Sequence, residues 1–150
     1  MAKKSGDLTK AFGCIGKATV SMDDKGRILI PPGHNQPGEE VRGFVVTTQS
    51  EAPCILLFPP SEIRKMTNEE KQSRLLFSTF APMEKDNRLC IPVEFRKAFL
   101  GPTIPQPCEL VLAGFGHHFE LWTLEEWAKV EPGLKKRHDE ALEELRRDNI

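Results

Sequence analysis

The chain repeats itself, and that repeat constrains its fold more than any other feature. Met22-Asp23-Asp24-Lys25-Gly26-Arg27-Ile28-Leu29-Ile30-Pro31 returns 61 residues later as Met83-Glu84-Lys85-Asp86-Asn87-Arg88-Leu89-Cys90-Ile91-Pro92. Met, an acidic residue, Arg, an apolar pair ending in Ile, and Pro recur in order. Further on, Leu56-Leu57-Phe58 and Glu62-Ile63 return as Glu120-Leu121-Trp122 and Glu126-Trp127 at an offset of 64, so the second copy is expected to hold three more residues in its middle. A chain of 150 residues fits one domain or two small repeats. Two blocks recurring in the same order select the second.

Each ten-residue block reads as a hairpin. In the first, residues 18–23 form an extended arm, Asp24-Lys25-Gly26 turn, and Ile28 to Ile30 return. Gly26 suits a turn position with positive φ, and Asn87, which stands there in the second copy, tolerates the same conformation. Pro92 predicts a short helix over 93–100 closed by Gly101, with Phe95, Ala98 and Phe99 on one apolar face. In the first copy, Pro31-Pro32-Gly33 and Pro37-Gly38 replace that helix with something close to a loop. Two further strands are expected in each copy, over 43–48 with 55–58 and over 109–113 with 119–122. Thr67 and Glu70 form a capping box that predicts a helix over 67–80. A second box at Thr123 and Glu126 opens a helix that Pro132 is expected to interrupt. The tail over 133–150 predicts an amphipathic helix with Leu134, Ala141, Leu142 and Leu145 on one side.

Little in the sequence suggests reaction chemistry. Cys14, Cys54, Cys90 and Cys108 are scattered without zinc-ligand spacing and read as reduced, hydrophobe-like side chains. His117-His118 lacks any accompanying metal or acid–base spacing, and a surface or partly packed role is expected. No nucleophilic triad order, P-loop or dinucleotide fingerprint occurs. An enzyme, a metal, a cofactor and a small-molecule substrate are therefore not expected. No apolar run has membrane-spanning length and the first residues lack a signal-peptide pattern, so a cytoplasmic location is expected. The net charge of −1 excludes a uniformly basic coat for nucleic acid but not a local basic patch. Residues 1–27 hold six basic and three acidic groups, a local net of +3.

The paired D-x-x-x-R turns resemble those of the MraZ family, bacterial regulators built from two swapped-hairpin units of the SpoVT-AbrB type. Asp23 to Arg27 carry the first turn, and Glu84 to Arg88 the second in altered form. The Ile-Pro endings, Arg74-Leu75-Leu76-Phe77 and Phe119-Glu120-Leu121-Trp122 strengthen the likeness, which covers roughly residues 14–130. The resemblance implies an α+β, mainly β fold. In it, two tandem AbrB-like swapped-hairpin repeats form a pseudo-twofold, β-barrel-like core with short helices. It divides the chain into an N-terminal extension (1–13), repeat 1 (14–63), a connecting helix (64–80), repeat 2 (81–130) and a C-terminal helical tail (131–150). It implies a nucleoid-associated transcription factor whose subunits assemble into rings. Such proteins bind short direct repeats in the promoter of the division and cell wall gene cluster, usually repressing it. Glu84 and Asn87 depart from the family pattern while keeping charge and turn geometry. The first copy departs further, with its Pro/Gly-rich segment standing where the family builds a helix that forms part of the subunit interface.

Two readings of the turns stand side by side. An acidic residue four positions before an arginine makes a surface ion pair that contributes about 0–1 kcal/mol. A two-stranded ribbon also fits the DNA major groove, where Arg27 could reach O6 and N7 of a guanine. On that second reading Lys17, Lys25 and Lys85 suit phosphate contacts, Arg88 repeats the role of Arg27, Asp23 and Glu84 are acidic partners, and Gly26 and Asn87 shape the turns. The alternative function is a swapped-hairpin assembly module that reads no DNA sequence.

Overall fold

The computed structural model describes residues 14–31, 43–49 and 52–148. The first copy's Pro/Gly-rich segment (32–42) and the extension over 1–13 lie outside them. Eight strands follow in chain order: β1 (Cys14–Met22), β2 (Arg27–Leu29), β3 (Gly43–Gln49), β4 (Ala52–Phe58), β5 (Thr79–Pro82), β6 (Arg88–Cys90), β7 (Cys108–Gly116) and β8 (Phe119–Thr123). Four helices join them: α1 (Pro60–Arg64), α2 (Asn68–Leu76), α3 (Val93–Leu100) and α4 (Leu124–Asp148).

The turns form as expected, but their arms separate. At the first turn the Asp23 N–H donates to the Arg27 carbonyl at 3.0 Å and the Gly26 N–H to the Asp23 carbonyl at 3.0 Å. Beyond it β1 pairs along its whole length with β7, while β2 pairs with β6. In the second copy β5 likewise pairs with β3 rather than with β6. Each unit thus lends its first strand to the other. The result is a six-stranded antiparallel sheet, β1-β7-β8-β4-β3-β5, with a separate β2–β6 ribbon. The fold is α+β and mainly β, with a large antiparallel sheet that does not close into a complete barrel.

The pseudo-twofold symmetry is written in the register. Ile28 faces Leu89 in the ribbon, and Leu56 faces Glu120 in the sheet, so each residue pairs with its own repeat counterpart. Val45 faces Phe58 as Val111 faces Trp122, which makes the offset 66 in the third strand of each unit and 64 in the fourth. The second copy therefore gains five residues before its third strand and loses two in the following turn. The sequence reading saw only the difference of three between the ends.

Alternation along the sheet explains its nearly unbroken apolar runs. Phe44, Val46, Ile55, Leu57, Leu110, Leu112, Phe119 and Leu121 face one core, which the ribbon closes with Ile28 and Leu89 and α3 with Phe95. Val45, Leu56, Phe58, Val111 and Trp122 face the other way, against Ile63 of α1 and Trp127 of α4. Ala98 is exposed instead of sharing the buried face of Phe95.

Two helix expectations need correction. The connecting helix ends at Leu76, and Thr79 and Phe80 are strand, because the open edge of β3 takes them as ladder partners. The duplication itself carried this signal, since both residues align with the extended arm of the first copy. Nor does Pro132 break α4, which runs 25 residues through it. Proline removes one backbone hydrogen bond. Packing of Trp127 and Val130 before it and Leu134 after it on the same apolar cluster holds the two halves in one helix.

Candidate functional site

The β2–β6 ribbon has an inner and an outer face. Ile28 and Leu89 point inward and are almost wholly buried. Opposed residues share a face, so Arg27, Cys90, Leu29 and Arg88 all project outward. Arg27 and Arg88 are diagonal neighbours across the two strands, which sets their backbones roughly 7–8 Å apart. Both border one shallow cleft of about 280 Å³ that Asp23, Leu29, Gln106 and Pro107 also line.

The first turn fixes Arg27. Asp23 Oδ1 accepts from the backbone N–H groups of Lys25 and Arg27, each at 2.9 Å, and Oδ2 accepts from Arg27 Nε at 2.7 Å. The bond engages Nε and leaves the edge bearing Nη1 and Nη2. The Arg27 side chain stays 31% exposed, enough for that edge to meet a ligand. The Asp23 carboxyl is held below its ordinary value: its slight burial opposes this but is outweighed by the bonds from Arg27 and Lys25. The Arg27 guanidinium is shifted up, first by the Asp23 hydrogen bond, with a smaller contribution from Glu84.

The second turn is built differently. Asp86 and Asn87 both have positive φ, 62° and 60°, where the first turn uses Gly26 alone at 85°. The Glu84 N–H donates to the Arg88 carbonyl at 2.7 Å, as at the first turn. Among the described residues no ion pair joins Glu84 to Arg88, and Arg88 is exposed. The turns also reach across to each other's return strand: Ile91 N–H donates to the Gly26 carbonyl at 2.9 Å and Ile30 N–H to the Asn87 carbonyl at 2.8 Å. Gly26 and Asn87 therefore cap opposite ends of the ribbon, four residues or roughly 14 Å apart. Lys25 and Lys85 stand exposed at those ends.

One basic residue escaped the sequence reading. Arg96 of α3 lies across the first turn, with its Cδ, Nε and Cζ only 2.4–2.7 Å from where a Cβ on Gly26 would sit. Its Nε is buried without a hydrogen-bond partner among the described residues. Phe95 and Phe99 mark the inward face of α3, so the sequence placed Arg96 beside that face. It did not say that strand exchange would bring the first unit's turn there. Lys17, by contrast, stands apart from these arginines. It sits on β1 opposite Ala113, five residues before Met22, and its ammonium pairs with Glu131 of α4.

The remaining reactive side chains are buried in the core or paired with carboxylates near the surface. Burial pushes the thiols of Cys14 and Cys54 up to about 12, and raises that of Cys108. His117 Nδ1 lies 3.2 Å from Glu62, whereas His118 Nε2 lies 3.1 Å from Glu120 with its ring stacked near Phe58 and Phe115. Adjacent on the chain, the two rings part to different carboxylates. Among the described residues no group of three His, Cys, Asp or Glu is placed to hold a metal ion.

Comparison with known proteins gives one family. A family model described as "MraZ protein, putative antitoxin-like" matches residues 75–148. The chain is 30% identical over 145 residues to the transcriptional regulator MraZ of Methylobacillus flagellatus, covering 87% of this chain and 95% of that protein. It is 30% identical over 130 residues to the protein of the same name from a Roseiflexus species, covering 77% and 85%. A third of that name, from Kineococcus radiotolerans, is 27% identical over 145 residues, covering 85% and 96%.

Proposed function

Because the chain belongs to the MraZ family, we propose that it is a transcriptional regulator that reads duplex DNA with the outer face of the β2–β6 ribbon. The observation that carries this reading is the diagonal pair Arg27 and Arg88, side by side on an outward ribbon face. A two-stranded ribbon enters the major groove, and an arginine edge bonded to guanine O6 and N7 discriminates by about 1–3 kcal/mol. Asp23 positions Arg27 through Nε, so the terminal nitrogens approach a base with less rotamer freedom to lose. Arg88, with no such partner among the described residues, adapts to its base or phosphate. Lys25, Lys85 and Arg96 neutralise phosphates at the ribbon ends, setting register without specifying sequence. Lys17 has no part in this face.

One ribbon makes few contacts, and binding at physiological salt then depends on several copies acting together. In our reading the subunits form a ring that engages short direct repeats in the promoter of the division and cell wall gene cluster, repressing it on the nucleoid. Leu76, Phe77, Phe80 and Val93 give support, being 74%, 73%, 50% and 47% exposed, an apolar surface suited to subunit contact. Linked sites raise avidity by about 10²–10⁴ where geometry permits. The same surface also favours a second reading, an assembly module without sequence preference, because the second turn is nearly neutral. Among the described residues no helix is long and apolar enough to cross a membrane.

Selection of bound duplexes from a random pool tests the proposal. Recovery of a tandem short motif supports it. Equal, weak retention of every duplex supports the assembly module instead.

A further inference from the structure

The C-terminal half of α4 leaves the core with its apolar stripe uncovered. Trp127, Val130 and Leu134 pack against the sheet, but every described residue from Lys135 onward is exposed. The stripe nevertheless continues through His138, Ala141 and Leu145, with Leu142 at its margin, and Leu142 and Leu145 are 48% and 59% exposed. The steps from 134 to 138, 141 and 145 alternate four and three, the seam spacing of a coiled coil. A helix of this length without tertiary contacts is marginal in water, so a covering partner would stabilise it.

The residues along and beside the seam select the partner. Two copies laid antiparallel place the part of Leu134 that the sheet leaves uncovered against Leu145 of the second copy, and His138 against Ala141, each layer occurring twice. Leucine meets leucine in the two outer layers, and the larger His138 meets the small Ala141 in the two inner ones. Arg137 and Glu144 flank the seam, and this register sets each opposite the other's charge. The intrahelical pairs Lys135–Asp139 (2.8 Å) and Arg146–Glu143 (3.5 Å) do not use them. A parallel pair would instead stack His138 on His138 and Ala141 on Ala141, and would set Arg137 beside Leu142.

We propose that the free half of α4 is a docking helix for a second copy of this chain, joined antiparallel with His138 opposite Ala141. Four layers make a small interface, weak alone and effective where several copies already associate. The DNA-reading role of the ribbon is not required for it.

Cross-linking of the full-length chain provides the test. In a Cys90→Ser background, which removes the half-exposed thiol, His138→Cys and Ala141→Cys are made as separate proteins. Both sites are exposed, and circular dichroism checks that each variant folds. Oxidation of their mixture is expected to give the mixed 138–141 disulfide several-fold above either homodisulfide, read by mass spectrometry of linked peptides. Adding Glu144→Arg to both chains lowers that yield several-fold, and adding Arg137→Glu as well restores it. Predominant homodisulfides, an absence of cross-links, or a yield insensitive to the charge exchange would each overturn the proposal.

Discussion

Ile28 and Leu89 face each other across the β2–β6 ribbon, and each occupies in its own unit the position the other holds in the next. The inner face of the ribbon therefore exists only when both units are folded. Ile28→Ala or Leu89→Ala empties a buried site (1% and 0% exposed) and should cost about 2–5 kcal/mol. Because β1 pairs with β7 and β5 with β3, urea unfolding should remain a single transition followed alike by fluorescence and circular dichroism. Two separate transitions would contradict the strand exchange.

The first turn should be intolerant of a side chain at Gly26. A non-glycine residue in left-handed backbone costs roughly 1–2 kcal/mol, and the Arg96 side chain must also move away. Gly26→Asn should cost less than Gly26→Ala, because asparagine adopts positive φ more readily, as Asn87 does in the second turn. Chemical denaturation of the two variants gives the comparison, and equal losses would count against the turn geometry.

Asp23 should titrate below the ordinary carboxyl value of 3.8. Its folded-state value is lowered, so its contribution to the turn is complete above the unfolded value and disappears as pH falls through the folded one. NMR titration should therefore place its midpoint under 3.8, and Arg27→Ala should move it upward. A midpoint at or above the ordinary value would mean that Asp23 does not hold Arg27 in solution.

Thiol labelling should separate the four cysteines. Cys14, Cys54 and Cys108 are buried with raised thiol values, while Cys90 is half-buried on the outer ribbon face. Mass spectrometry after brief alkylation of the native protein should find Cys90 modified first. Early modification of Cys14 or Cys54 would contradict the packing.

Much of this architecture was legible in the duplicated block. Gly26 and Asn87 marked the turns, and Pro92 with Gly101 bounded α3, because these features are local and depend on backbone conformation alone. Partner choice was not local. The apolar residues of β1 and β5 show which side packs, not which strand pairs, and the exchange followed only from resemblance. Arg96 went unnoticed for the same reason, since its neighbour Gly26 is distant in sequence. Pro132 was misjudged because local propensity yields to the packing of Trp127, Val130 and Leu134. At the candidate site, Asp23 and Arg27 could be paired from their spacing. That Arg88 would share their face required the ribbon register.

Substitution of Arg27 by alanine, followed by duplex selection and binding across a salt series, tests the central claim most directly. The fold and the subunit assembly should survive, because the side chain lies outside the core. The parent protein should recover a tandem motif. The variant should lose about 1–3 kcal/mol of preference for it while keeping non-specific binding with nearly the parent's salt slope. A variant that selects the same motif with undiminished preference would show that the outer face of the ribbon does not read DNA.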